Sequence, residues 1–235
     1  MTPTAHTWAD DRMVAVDFES TGTDPETARI VAAAVVAVGG GDPAVAGSWT
    51  VDPGIDIPAE AAAIHGITTE RAKAEGCTPY AAVRDIVNAI DEFTESGAAL
   101  VTFKAPYTLT MLLRECTRQG IKPPQRLHPV IDPSVLDKHV DAFRRGKRTL
   151  AALCRHYQVQ QGEAHEPSAD ALAAARLAWR LAHTYPDIGA RELQELHALQ
   201  IRWADEQADG LRRYLRRSDP TAQVDGRWPV IPTRK

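Results

Sequence analysis

A chain of 235 residues, 44% apolar and 25% charged, is long enough to bury one sizeable core with an extension, or two small domains at most. Its 27 basic and 31 acidic residues leave a formal charge of −4, which excludes a molecule-wide attraction to polyanions, so any nucleic-acid contact must come from a local patch. Three scattered cysteines (Cys77, Cys116, Cys154) without CxxC spacing argue against a disulfide framework and a thiolate zinc site, and the longest apolar run, Ile30 to Val38, is too short to cross a bilayer.

The opening MTPTAHTWADDR has no apolar signal core, so the expectation is an untargeted, cytoplasmic protein with no membrane partner. Met13 to Phe18 and Ile30 to Val38 are β-branched apolar runs bounded by glycine-rich turns and predict strands. A third run, Ala46 to Val51, follows the GGGDP turn at Gly39 to Pro43, a spacing that suits an antiparallel three-strand meander. From Pro79 to Phe93 the positions Ala82, Val83, Ile86, Val87, Ile90 and Phe93 recur every three or four residues, which predicts an amphipathic helix. A strand at Ala98 to Phe103, a helix beyond Pro106 ending near Gly120, a short strand at Pro129 to Ile131 and further helix give strand, helix, strand, helix order. Ser168 to His183 and the charged stretch Arg191 to Arg217 predict two more helices. The sum is an α/β fold with a mixed sheet, divided as an N-terminal segment (1–11), a main domain (12–185) and a C-terminal helical extension (186–235).

Asp17 and Glu19 stand two apart at the end of the first strand, so their side chains share one face of the pleat and can converge on one divalent ion; a solvated strand end gives the same pair. Ser20, Thr21 and Gly22 follow as a turn whose hydroxyls and backbone N–H groups can meet a sugar or phosphate. In His165-Glu166-Pro167-Ser168-Ala169-Asp170, the carboxylate falls in the first turn of a helix and the imidazole in the loop before it. That division suits a rigid metal ligand and a mobile general base, although a helix-capping Asp beside a surface His reads the same way.

Taken in order, VDFESTGTD (Val16 to Asp24), Ile64-His65-Gly66-Ile67-Thr68, FKAPYT (Phe103 to Thr108) and HEPSAD resemble the successive motifs of the DnaQ-like, DEDDh 3'-5' exonuclease family, over about residues 12 to 184. The resemblance implies a ribonuclease H-like fold holding two Mg²⁺ or Mn²⁺ ions between four carboxylates. Asp17, Glu19 and Asp170 match three ligands, and His165 matches the base that activates water. It also puts Ile64 against a base and His65 beside the terminal nucleotide, and groups Phe18, Ser20, Thr21, Gly22, Lys104 and Tyr107 with the substrate-side residues.

Motif two departs from the family pattern. Where the family has roughly Asn-x-x-[Phe/Tyr]-Asp, this chain has Lys104-Ala105-Pro106-Tyr107-Thr108. Thr108 offers a neutral hydroxyl in place of a carboxylate, a poor ligand for a hard dication, so the second metal is expected to bind weakly or not at all. Asn to Lys and Asp to Thr together add two positive charges, the charge of the ion that would be lost, which suggests that the Lys104 ammonium partly replaces it. The functional expectations are an impaired exonuclease on the 3' end of single-stranded DNA or RNA, an inactive nucleic-acid- or nucleotide-binding relative, or a phosphodiesterase on short oligonucleotides or modified nucleotides.

In the extension, Arg212, Arg213, Arg216 and Arg217 form a basic stripe on a helix, either a phosphate track or a helix end that complements the dipole. Leu193, Leu196, Leu199, Ile201 and Trp203 supply apolar surface for the domain or for a second subunit, which leaves a homo-oligomer open.

Overall fold

The structure, a computed structural model, describes residues 6–233; the first five residues of the N-terminal segment and the last two of the extension lie outside it. Five strands, β1 (Met13–Ser20), β2 (Ile30–Val38), β3 (Val45–Thr50), β4 (Ala99–Val101) and β5 (Val130–Ile131), form one sheet in the order β3-β2-β1-β4-β5. The pairs β1–β2 and β2–β3 are antiparallel, whereas β1–β4 and β4–β5 are parallel. This is the predicted meander with parallel strands added, flanked by helices. The tight β2–β3 connection needs glycine at Gly39: its φ is +87°, and a Cβ there would stand 2.4 Å from the Asp11 carbonyl oxygen.

Burial explains the sequence of β2, which carries no polar alternation because eight of its nine residues are buried. Helix α3 (Pro79–Thr94) packs on β2, and α7 (Pro167–Thr184) lies across β1 and β2 through a run of buried alanines, Ala171, Ala173, Ala174, Ala175 and Ala178, that lets it approach closely. Between β3 and α3 run two helices with no counterpart in the sequence reading, α1 (Ala59–His65) and α2 (Thr69–Glu75). Each buries a single alanine, Ala61 or Ala72, and with Ile57 and Ile67 they close a small satellite core on Val31 and Ala32.

After α4 (Ala105–Gln119), α5 (Pro133–Val140), α6 (Leu150–Tyr157) and the short α8 (Pro186–Gly189), α9 (Leu193–Leu215) covers the free edge of β5. Side chains replace the missing strand. The Gln200 amide accepts from the Asp132 N–H at 2.8 Å and donates to the Val130 carbonyl at 2.9 Å, while His197 Nδ1 accepts from the Val130 N–H at 3.1 Å. Leu196 and Trp203 are buried against the chain itself, and Ile201 stays exposed.

Beyond α9 the chain folds back rather than continuing as helix. Trp228 is buried, the Ile231 N–H donates to Thr110 Oγ1 at 2.8 Å, and Arg114 donates to the Ile231 carbonyl. Two arginines of the basic stripe hold this return: Arg212 donates to the Val224 carbonyl and Arg216 to that of Ala222, while Arg217 lies over the Tyr214 ring. Among the described residues no helix is long and apolar enough to cross a membrane.

Candidate active site

The C-terminal end of β1, the N-terminus of α7 and the turn after β4 meet at one end of the sheet. Strand alternation turns Asp17 and Glu19 to one side and sends Phe18 to the other, into the core at 6% exposure, so the Phe18 side chain does not face the site. Across from them α7 starts with Pro167 behind an N-cap, Glu166, whose carboxylate accepts from the Ala169 N–H at 2.8 Å. This fixes Asp170, itself buried, one turn in.

Both Asp170 oxygens are held. Oδ1 accepts from Gln161 Nε2 at 2.7 Å and Oδ2 from the His165 backbone N–H at 3.1 Å. His165 adopts a left-handed φ of +64°, and its half-exposed ring brings Nδ1 to 3.7 Å from Glu19 Oε1. One ligand atom each from Glu19, His165 and Asp170 lies within 4.8 Å of the others, whereas Asp17 stands outside that trio. Gln161, four residues before the recognisable box, carries no signal in the sequence.

Asp17 and Glu19 are poorly compensated. Burial, then the charges of Asp170 and Glu19, hold Asp17 well above the usual carboxylate range against one favourable bond from the Phe18 N–H. Burial and Asp170 push Glu19 up to about 7. Convergent, mutually repelling oxygen donors of this kind fit a hard dication, which would remove the repulsion.

Motif two provides no such ligand. Lys104 caps α4 with φ +60° and ψ +59°, a left-handed conformation that Asn enters more readily than Lys. The buried Asp132 carboxylate holds it there, accepting from the Lys104 N–H at 3.1 Å and the Ala105 N–H at 2.8 Å, and takes Ser134 and the Trp228 indole as well. The Lys104 side chain is exposed, and among the described residues its ammonium makes no ion pair with Asp17, Glu19 or Asp170. Thr108 is buried in the first turn of α4.

The turn after β1 is satisfied internally. Thr21 exchanges bonds with Arg29, its N–H donating to the Arg29 carbonyl and its hydroxyl accepting from the Arg29 N–H, both at 3.0 Å. Tyr107 Oη meets Ser20 Oγ at 2.5 Å and also bonds the Gly22 carbonyl, to which Ser20 donates at 2.9 Å. Thr21 and Tyr107, expected on the substrate side, thus tie β1 to its following loop and to α4. Gly22 has open space where a side chain would stand.

Ile64 and His65 end α1 at the rim of a cleft of about 530 Å³, lined also by Trp49, Arg71, His165 and Glu166. Ile64 is 58% exposed, an unusual place for an isoleucine. His65 Nδ1 accepts from the Ile67 N–H at 3.2 Å, which leaves the proton on a buried Nε2 that meets no acceptor in good geometry; burial lowers its pKa against the pull of the Ser20 backbone. Trp49 and Arg71 escaped the sequence reading because they belong to an edge strand and an unrecognised helix. A second cleft, of about 510 Å³, lies at the far end of α7, where Asp10 is already bonded to Trp179 and paired with His183.

A mixed sheet of this order with carboxylates gathered at the end of its first strand defines the ribonuclease H-like nuclease class. The exonuclease family model RNase_T matches residues 14–178, and the chain belongs to that family. No curated protein matches it in sequence. Solved structures do. E. coli exonuclease I bound to a dA16 oligonucleotide aligns with a TM-score of 0.65 at 18% identity, over 76% of this chain and 42% of that one. The zinc-ion-bound complex of the same enzyme with single-stranded DNA gives 0.64 at 18% identity, with the same shares. A moderately thermophilic exonuclease I from Methylocaldum szegediense gives 0.63 at 17% identity, over 86% and 45%. The chain spans less than half the length of these proteins, and at such identities the likeness is one of fold.

Proposed function

We propose that the chain binds the 3' end of a single-stranded nucleic acid and hydrolyses its terminal phosphodiester slowly, through one divalent ion held by Asp17, Glu19 and Asp170. The observation that carries this reading is the convergence of Glu19, His165 and Asp170, with Asp17 close enough for its charge to repel both carboxylates, near a position, Thr108, that has no charge. Mg²⁺ or Mn²⁺ bound there supplies Lewis-acid stabilisation of the phosphate and an acidified water. The chain's own residues do the rest. His165, with Nδ1 turned toward Glu19, keeps Nε2 available to take the water's proton. Gln161 and the His165 backbone fix the Asp170 carboxylate. Ile64 offers an exposed apolar face for the terminal base, and Lys104 an exposed charge to screen a phosphate without coordinating a metal.

Single-stranded DNA is the substrate class favoured by the solved relatives, which are described in complex with dA16 and dT13 oligonucleotides. Three free thiols suit a reducing, cytoplasmic setting. A second reading, binding without turnover, draws on the same Thr108 and on the solvent-facing Lys104. Release of a labelled 3' nucleotide in Mn²⁺ separates the two. Slow release by the native protein that Asp17→Asn abolishes supports hydrolysis. No release by the native protein, with retained affinity for the oligonucleotide, supports binding alone, and neither release nor binding rejects both.

A further inference from the structure

The molecule's most exposed large apolar side chain is Phe143, 97% accessible, in the loop between α5 and α6. That loop and the helix end before it are also basic. From Asp137 to Arg148 there are five Lys and Arg side chains against two carboxylates, a surplus of three positive charges in a chain whose net charge is −4. The loop is built rather than slack. Asp137, fully buried, accepts from Arg144 at 3.1 and 3.3 Å, from Arg148, and from the Tyr157 hydroxyl at 3.0 Å, and Lys138 Nζ donates to the Ala142 carbonyl at 3.2 Å. With Arg144 and Arg148 drawn inward, Phe143, Arg145 and Lys147 project at alternate positions into solvent. Among the described residues Arg145 and Lys147 make no ion pair.

We infer that this loop is a second contact for single-stranded nucleic acid, a base stacking on Phe143 with the flanking phosphates on Arg145 and Lys147, upstream of the reacting 3' end. The inference rests on the proposed nuclease reading. A ring anchored among cations is the arrangement that single strands use without sequence preference, since every base has a face to stack and every linkage a charge. The competing basic surface is already engaged: Arg212 and Arg216 bind carbonyls of the returning C-terminal segment. The loop is within reach of the site. Helix α5, eight residues and so about 12 Å long, starts at Asp132, whose carboxylate holds the Lys104 N–H, which puts Phe143 within roughly 25 Å of the motif-two turn.

The test is fluorescence anisotropy of the full chain in Ca²⁺, with single strands of about sixteen and about three nucleotides. Phe143→Ala is expected to weaken the longer strand about 5- to 100-fold. Arg145→Ser with Lys147→Ser should weaken it too and lower the slope of log affinity against log salt by about 1.4. The short strand, which does not reach the loop, should change less than about twofold, and because all three side chains project into solvent the melting temperature should hold. If the native protein binds the longer strand and both variants bind it equally well, the loop contact is wrong and the nuclease reading stands. If the native protein binds neither strand, both fall. A native dimer that Phe143→Ala dissociates would overturn the proposal in favour of a second copy on this surface.

Discussion

The two halves of the active site differ in kind. On the β1–α7 side candidate ligands and their supports are both present: Glu19, His165 and Asp170 converge, Asp17 stands near them, and Gln161 and the His165 N–H hold Asp170. On the β4–α4 side there are supports but no carboxylate at position 108. Asp132 grips the Lys104 and Ala105 N–H groups, Tyr107 ties α4 to the turn after β1, and the neutral Thr108 is buried in the first turn of α4. The side chain of residue 108 takes no part in these bonds; its backbone N–H donates to the Lys104 carbonyl at 3.4 Å, as any residue but proline can. The side chain at 108 can therefore change without loss of these supports.

The largest effect should come from breaking the supports of the weaker half. Asp132→Ala leaves buried N–H groups and the Trp228 indole unpaired and should cost about 3–5 kcal/mol, read as a lower urea midpoint. A midpoint shift equivalent to under about 1 kcal/mol would show that the turn does not depend on that carboxylate. Next, Thr108→Asp alone should return the missing ligand and raise Mn²⁺-dependent release of a 3' nucleotide by at least about 100-fold, several kcal/mol of transition-state stabilisation. An unchanged rate would mean that this position does not limit turnover.

The intact half makes its own prediction. Glu19 lies at about 7 and Asp17 well above its usual range, so in the folded state both prefer their protons. Their stability contribution is complete below the ordinary carboxylate range and is lost as pH rises through 7. Glu19 alone should cost the metal-free protein roughly 2–3 kcal/mol of stability between pH 5 and 8, Asp17 should add to the loss in the same direction, and saturating Mn²⁺ should flatten the decline. A metal-free melting temperature that is flat or rises over that interval would contradict the crowding. The smallest effect is expected from Lys104→Asn, which relieves a left-handed lysine and should stabilise the fold by about 1 kcal/mol in the same urea titration.

The antiparallel meander, the mixed sheet and the helix at 79–93 were legible because apolar runs and their spacing are local signals, and the four motifs because of their order along the chain. Helices α1 and α2 were not, since one buried alanine apiece makes no stripe. At the site, spacing and the resemblance singled out Asp17, Glu19, His165 and Asp170, of which the fold brings Glu19, His165 and Asp170 into one group. Gln161 and Asp132 were not singled out, because their partners are set by three-dimensional packing rather than by position in a motif. Phe18 shows the converse: it sits between two site residues, and strand alternation turns it away from them. The arginine stripe at 212–217 was visible, but its carbonyl partners at 222 and 224 exist only once the chain has turned back.

The family match ends at residue 178, yet the open side of the sheet is not closed until His197 and Gln200 bond to β5, and Trp228 seals the carboxylate beneath motif two. A chain shortened to the matched region would expose an unpaired strand edge, the surface on which identical copies add to one another. It would also strip the indole from Asp132. The border of the family and the border of the folding unit fall some fifty residues apart, and the second governs where this protein can be cut.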